Sequence, residues 1–153
     1  IEQIAGRGWH IGQTAFAYLS PTDMQYEGNN DSLVLYVQHG DFRALFTGDL
    51  EKDGEYTLIR HYGPSIRHVS LLKAGHHGSK TSSSEEFVEY MMPALTIFTA
   101  GKDNRYNHPA QEVVERFEER GLRYYTTGTD GTIEISINKK GAITSLQAWG
   151  LRK

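Results

Sequence analysis

Three short stretches carry the residues able to do chemistry: Thr47-Gly48-Asp49, Gly75-His76-His77-Gly78-Ser79, and Asn104-Arg105-Tyr106-Asn107-His108-Pro109. An aspartate with two or three imidazoles is a ligand set for zinc, manganese or iron, with no soft donor in it. A carboxylate can bridge two cations, a cation-bound water is acid enough to attack near neutral pH, and a remaining imidazole can protonate a leaving oxygen. Taken singly the motifs are weak, because Thr-Gly-Asp after a strand is usually a turn and Asn-His-Pro often only caps a helix. Occurring together in this order, they are much more specific.

Each stretch follows a segment that reads as a strand. Val69–Leu72 is a short apolar run of the kind found in a sheet covered on both faces. Gly75 and Gly78 bracket the imidazoles and let the chain turn sharply. Ser82 with Glu85, and Ser83 with Glu86, have the spacing of a capping box, which predicts a helix start suited to an anion or a metal-bound substrate. Leu33–Val37 and Ala44–Thr47 read as strands joined by a hairpin at His39-Gly40-Asp41, which puts Asp49 just past a strand end. Leu95–Thr99 is a third buried strand, and it leads into the stretch that ends at His108.

The remaining expectations fill in the frame. Thr14–Leu19 is a strand ending at a Ser20-Pro21 turn, and Tyr26–Ser32 is a polar loop. A helix over Glu55–Tyr62 is expected to stop at Gly63-Pro64. Glu85–Met92 is a helix with Phe87, Tyr90 and Met91 in the core, and Pro109 opens a helix that runs to about Arg120, with Val113, Val114 and Phe117 inward and Gly121 as its stop. Leu122–Thr126, Thr132–Ile137 and Ala142–Ala148 close the chain as strands, with turns at Gly128–Gly131 and Asn138–Gly141. This order predicts an α/β structure with a mixed sheet covered by helices. If the three site-bearing strands share one direction, their carboxyl ends converge on a single crevice.

Composition sets the outer bounds. A chain of 153 residues suits a single domain spanning 1–153, and 38% hydrophobic residues with a mean hydropathy of -0.53 suit a soluble one. No run approaches the roughly 18 apolar residues of a membrane span. There are no cysteines, so only His and carboxylate are available as strong metal ligands. The net charge of -3 argues against wholesale electrostatic binding of nucleic acid, while leaving room for a local phosphodiester site. The chain starts at Ile1 and not at Met, and the expectation is that it belongs to a longer polypeptide.

The sequence resembles a known family over roughly residues 9–138. Asn30–Leu35, Leu45–Glu51, Leu72–Ser82 and Asn104–Pro109 are together similar to the C-terminal metallo-β-lactamase-like domain of the ComEC family of DNA-uptake competence proteins. The resemblance implies an αββα sandwich with two divalent metal ions, zinc or manganese. It also implies that the domain lies outside the cytoplasm in a bacterial membrane channel protein, and that it degrades the non-transforming DNA strand. The partners implied are DNA bound without sequence preference, the rest of the channel protein and the competence machinery.

Residue by residue, Asp49 matches the bridging carboxylate. His76, His77 and His108 match site histidines, with the roles of ligand and proton donor left open. Ser79, Lys80, Asn104 and Arg105 are candidates for phosphate contacts, Arg105 because a guanidinium grips phosphate bidentately. His10, His39, His61 and His68 are set aside as structural. None of the seven histidines opens the superfamily pattern His-x-(His/Asp)-x-Asp-His. The chain therefore resembles the second half of such a domain, weakly active or inactive by itself. The alternatives are another phosphoester as substrate, such as a phosphorylcholine ester, or a catalytically silent scaffold or DNA-docking module.

Overall fold

A computed structural model describes residues 8–20 and 28–150. The expected turn at Pro21 and the start of the loop at Tyr26 and Glu27 lie outside the described residues. Nine strands and four helices are described: β1 (Gly8–Ile11), β2 (Thr14–Ser20), β3 (Val34–His39), β4 (Phe42–Phe46), α1 (Lys52–Ile66), β5 (Leu71–Lys73), α2 (Glu85–Met91), β6 (Thr96–Phe98), α3 (Gln111–Glu118), β7 (Tyr124–Thr126), α4 (Thr127–Asp130), β8 (Thr132–Ile137) and β9 (Ile143–Trp149).

Strands β1 to β7 form one mixed sheet in sequence order. Neighbours from β1 to β4 are antiparallel, and from β4 to β7 they are parallel. Each parallel step is bridged by one of α1, α2 and α3. Right-handed crossovers that all advance the same way across a sheet leave their helices on one face. That face is the main core, where Leu45, Leu72, Tyr36 and Ala17 meet Leu58 and Ile66 of α1 and Phe87 and Met91 of α2. Beside it, Phe98 and Ala74 meet Val113 and Phe117 of α3.

The opposite face is covered over β4 to β7 by the hairpin β8–β9, whose Ile135, Ile137 and Leu146 pack on Phe42, Ala44, Leu71 and Leu95. The layers therefore run helix, sheet, sheet. This is an α/β fold with a mixed sheet flanked by helices, compatible with an αββα sandwich. Further along that second face, Trp9, Phe16, Tyr18, Leu35 and Phe46 form a row that the hairpin does not cover, with Trp9 stacked on Phe16 at 5.2 Å between centroids. Among the described residues no helix is long and apolar enough to cross a membrane.

Several boundaries differ from expectation for identifiable reasons. Helix α1 runs through Gly63-Pro64 to Ile66, because the buried stripe Glu55, Leu58, Gly63, Ile66 continues past the breaker pair. Pro64 sits exposed in the last turn, and the Arg67 N–H closes the helix on the Gly63 carbonyl at 3.0 Å. Helix α3 starts at Gln111 and not at Pro109, since Ala110 is extended and its N–H is tied to the Gly78 carbonyl at 2.9 Å. Part of the expected loop before β3 is a 3-10 turn, Gly28–Asp31. The turn expected at Gly128–Gly131 is the single helical turn α4, held by the Asp130 carboxylate on the Thr126 N–H at 2.7 Å.

Candidate active site

The carboxyl ends of β4, β5 and β6 lie side by side and point the same way, so Asp49, the His76-His77 pair and the loop from Thr99 to His108 open on one crevice. The histidine turn is built under strain. His76 and His77 lie at φ 42° and 57°, consecutive left-handed positions occupied by side chains that rarely adopt them. Each costs on the order of 1–3 kcal/mol unless its surroundings hold it. They do hold it: the His76 N–H donates to the Gly48 carbonyl at 3.1 Å, and the Ser79 N–H to the His76 carbonyl at 2.8 Å.

Gly78 completes the turn at φ 83°, with a Cβ position 2.6 Å from Pro109 Cβ and 2.8 Å from a Phe98 ring carbon. A Gly78→Ala substitution is accordingly expected to destabilise the fold by about 2–4 kcal/mol, from a forbidden backbone angle together with overpacking. Urea denaturation measures this, and a change below about 0.5 kcal/mol would show that the turn can rearrange freely.

Each imidazole is then oriented by a second group. The Nδ1 of His77 lies 2.8 Å from the Thr99 carbonyl oxygen, which can only accept, so Nδ1 carries the proton. Nε2 is left facing Asp49 Oδ1 at 3.5 Å. His76 Nδ1 lies 3.2 Å from Glu51 Oε1, an oxygen that also accepts from Thr81 Oγ1 at 2.9 Å and Asn29 Nδ2 at 3.0 Å. The Asn29 bond above all, with help from Thr81 and His76, holds the Glu51 carboxyl below its ordinary range. The rings of His76 and His108 are 5.9 Å apart, and those of His76 and His77 are 6.3 Å apart. His108 Nδ1 is buried with no hydrogen-bond partner among the described residues. Burial, and then the two neighbouring imidazoles, lower the pKa of His108.

Lys73 ends β5 beneath Asp49. Its ammonium donates to the Gly48 carbonyl at 2.6 Å and lies 3.9 Å from Asp49 Oδ1, and burial lowers its pKa against the pull of that carboxylate.

The other sequence candidates fall in different places. Asn104 is spent on its own loop, accepting from the Tyr106 and His108 N–H groups and donating to the Gly101 and His108 carbonyls. Arg105 is exposed, with its guanidinium over the Tyr106 ring 4.5 Å from the centroid. Ser79 is buried and bonds Thr81 at 3.1 Å. Lys80 lines a second crevice with Lys52, Glu85, Glu86 and Arg116, apart from the imidazoles. His39 is engaged with Thr14 Oγ1 at 2.8 Å, and His61 lies on exposed α1 surface.

The serine-rich segment departs most from the sequence reading. Ser84, and neither Ser82 nor Ser83, caps α2, with its Oγ accepting from the Phe87 N–H at 3.3 Å. The anion at this helix start belongs to the chain itself. Glu55, 2% exposed, accepts from the Ser83 and Ser84 N–H groups at 2.5 and 2.9 Å. Burial raises its pKa, partly offset by those bonds and by Arg116. Ser82 lies within hydrogen-bonding distance of the Gly75 and Ser79 carbonyls, which ties this segment back to the histidine turn.

Sequence reasoning missed Glu51, Glu55 and Thr99 as parts of the site, and counted Lys73 only among the charges around it. Glu51 stands two residues after Asp49 and Lys73 is a charge ending an apolar strand, so both carried a local signal. Glu55 and the Thr99 carbonyl carried none.

As metal donors, Asp49 and His77 are right in kind. A fixed Nδ1–H leaves the Nε2 lone pair aimed at a carboxylate oxygen, an arrangement relieved by a cation or a proton between them. They are short in number, however. Among the described residues no group of three or more His, Asp and Glu is close enough to hold an ion.

No protein family model matches the chain. It is 43% identical over 106 residues to "ComE operon protein 3" of Bacillus subtilis, covering 69% of this chain and 13% of that protein. It is 32% identical over 138 residues to "Competence protein ComA" of Neisseria gonorrhoeae, 90% of this chain and 20% of that one. It is also 32% identical over 133 residues to "Recombination protein 2" of Haemophilus influenzae, 86% of this chain and 16% of that one. The chain thus spans between 13% and 20% of the length of these relatives.

Proposed function

Because the chain belongs to the ComEC family of competence proteins, we propose that it supplies the carboxylate and imidazole half of a metal-dependent centre that hydrolyses DNA phosphodiesters during DNA uptake. The observation that carries this reading is the pair formed by His77 Nε2 and Asp49 Oδ1, two electron-pair donors held face to face at 3.5 Å. Zinc or manganese ions, two in the complete centre, would acidify a water and neutralise phosphate charge there. Their remaining donors come from outside the described residues.

The chain's own part is orientation. Thr99 fixes the tautomer of His77, and Glu51 fixes His76 with its Nε2 free. His108, its basicity lowered, suits a neutral imidazole at the edge of the site. The exposed Arg105 can serve as a phosphate-binding cation, and Lys73 sets the charge beside Asp49. The parent is a membrane-anchored member of the DNA-uptake machinery, and this chain a part of its extracytoplasmic domain.

The test is an assay of the parent protein on labelled single-stranded DNA and on a phosphorylcholine ester, with manganese or zinc and with chelator. DNA cleavage that needs the metal is expected. Cleavage of the other ester alone changes the substrate. No hydrolysis of either by metal-loaded parent overturns the reading in favour of a silent docking module.

A further inference from the structure

Next to His77 a cleft of about 260 Å³ opens between the histidine turn and the Thr99–His108 loop. It is lined by His77, Thr99, Ala100, Gly101, Tyr106 and His108. Pockets that take drug-sized ligands measure about 300–1,000 Å³, so this one is sized for a single flat heterocycle. Tyr106 is 61% exposed, in a loop that is held firmly. The firmness comes from Asn104, whose side chain receives and donates four bonds within the loop.

The rings are also arranged for stacking. Tyr106 and His108 lie 22° from parallel with centroids 5.7 Å apart, and the Arg105 guanidinium lies over Tyr106 and bonds its hydroxyl. Aromatic and guanidinium faces beside a phosphate-reaching cation are the features by which proteins hold unpaired bases.

We propose that the cleft between His77 and Tyr106 is a nucleobase subsite, which seats one unpaired base of a single DNA strand next to the Asp49–His77 pair. The proposal rests on the DNA reading above and deepens it. A base within a duplex has both faces covered by its neighbours, so only an unstacked one can enter. Seating it would set the adjoining phosphate toward Asp49 and His77, and the exposed Arg105 could turn from Tyr106 to that phosphate.

The test is binding of a short oligothymidylate to this chain by fluorescence anisotropy, against an abasic strand of equal length. A third strand carries 2-aminopurine, whose emission is quenched on stacking. The chain is expected to prefer the base-bearing strand and to quench 2-aminopurine. Tyr106→Ala should weaken oligothymidylate binding roughly 5- to 150-fold, leave the abasic strand unaffected and abolish the quench, and Tyr106→Trp should restore both. Equal affinity for the two strands, equal weakening of both by Tyr106→Ala, or failure of either strand to bind overturns the subsite. Cleavage by the parent is read separately. DNA cut by the parent while this chain binds base-bearing and abasic strands alike removes the subsite and leaves hydrolysis standing; quenching without any cutting does the reverse.

Discussion

Glu55→Ala is expected to lower the stability of the fold by about 2–5 kcal/mol, the cost of stranding two buried hydrogen-bond donors. For a chain of this length each kcal/mol lowers the melting temperature by roughly 2–4 °C, so thermal denaturation should show a fall on the order of 5–15 °C. The reason lies in how Glu55 is used. Its two oxygens take the Ser83 and Ser84 N–H groups, while Arg116 Nη1 donates to the Ser83 carbonyl at 2.8 Å from the other side. Ser83 is itself at φ 48°, so the clamp holds a residue the backbone would not place there unaided.

Glu55→Gln keeps the shape but offers one good acceptor in place of two, and should fall between Ala and the native residue. The damage should also reach the site, because Ser82 joins this segment to the carbonyls of Gly75 and Ser79 around the histidine pair. If Glu55→Ala unfolds within about 0.5 kcal/mol of the native chain, the clamp is not what holds the segment.

What could be read from sequence and what could not divide along physical lines. Strand cores were legible because their signal is local: Val34–His39, Phe42–Phe46 and Thr96–Phe98 lie in short runs rich in β-branched and aromatic residues and flanked by turn residues. Convergence of Asp49, His76, His77 and His108 was legible too, given only that parallel strands present their carboxyl ends together. Helix boundaries were less so. Gly63-Pro64 and Pro109 are local stop and start signals, and each was overridden by a contact made across the fold, the buried stripe of α1 in one case and the tether from Ala110 to Gly78 in the other. The serine run misled for the same reason, since the partner that satisfies Ser83 and Ser84 lies 28 and 29 residues away. The expectation of a dinuclear centre came from resemblance alone, and the described donors cover only part of one.

The other large effect is expected at Asp49. If the parent hydrolyses DNA as proposed, Asp49→Ala in it should lower that hydrolysis on the order of 10³-fold or more, the several kcal/mol that a bound cation would take off the barrier. Its side chain is 43% exposed, so the fold should change little, and a melting curve close to native separates lost chemistry from lost structure. His77→Gln should cost on the order of 10²–10⁴-fold as a group acting on a proton or a cation. Glu51→Gln acts only through His76, and its loss should be about 10–100-fold.

The same variants interpret metal binding by this chain. With only Asp49 and His77 in contact, calorimetric titration with Mn²⁺ or Zn²⁺ is expected to show weak binding that Asp49→Ala and His77→Ala remove. Tight binding lost in both variants would mean that the two donors recruit a third from within this chain, with His76 Nε2 and the unpartnered His108 Nδ1 as the candidates. Tight binding untouched by either variant would place the metal elsewhere and remove the basis for assigning hydrolysis to this crevice.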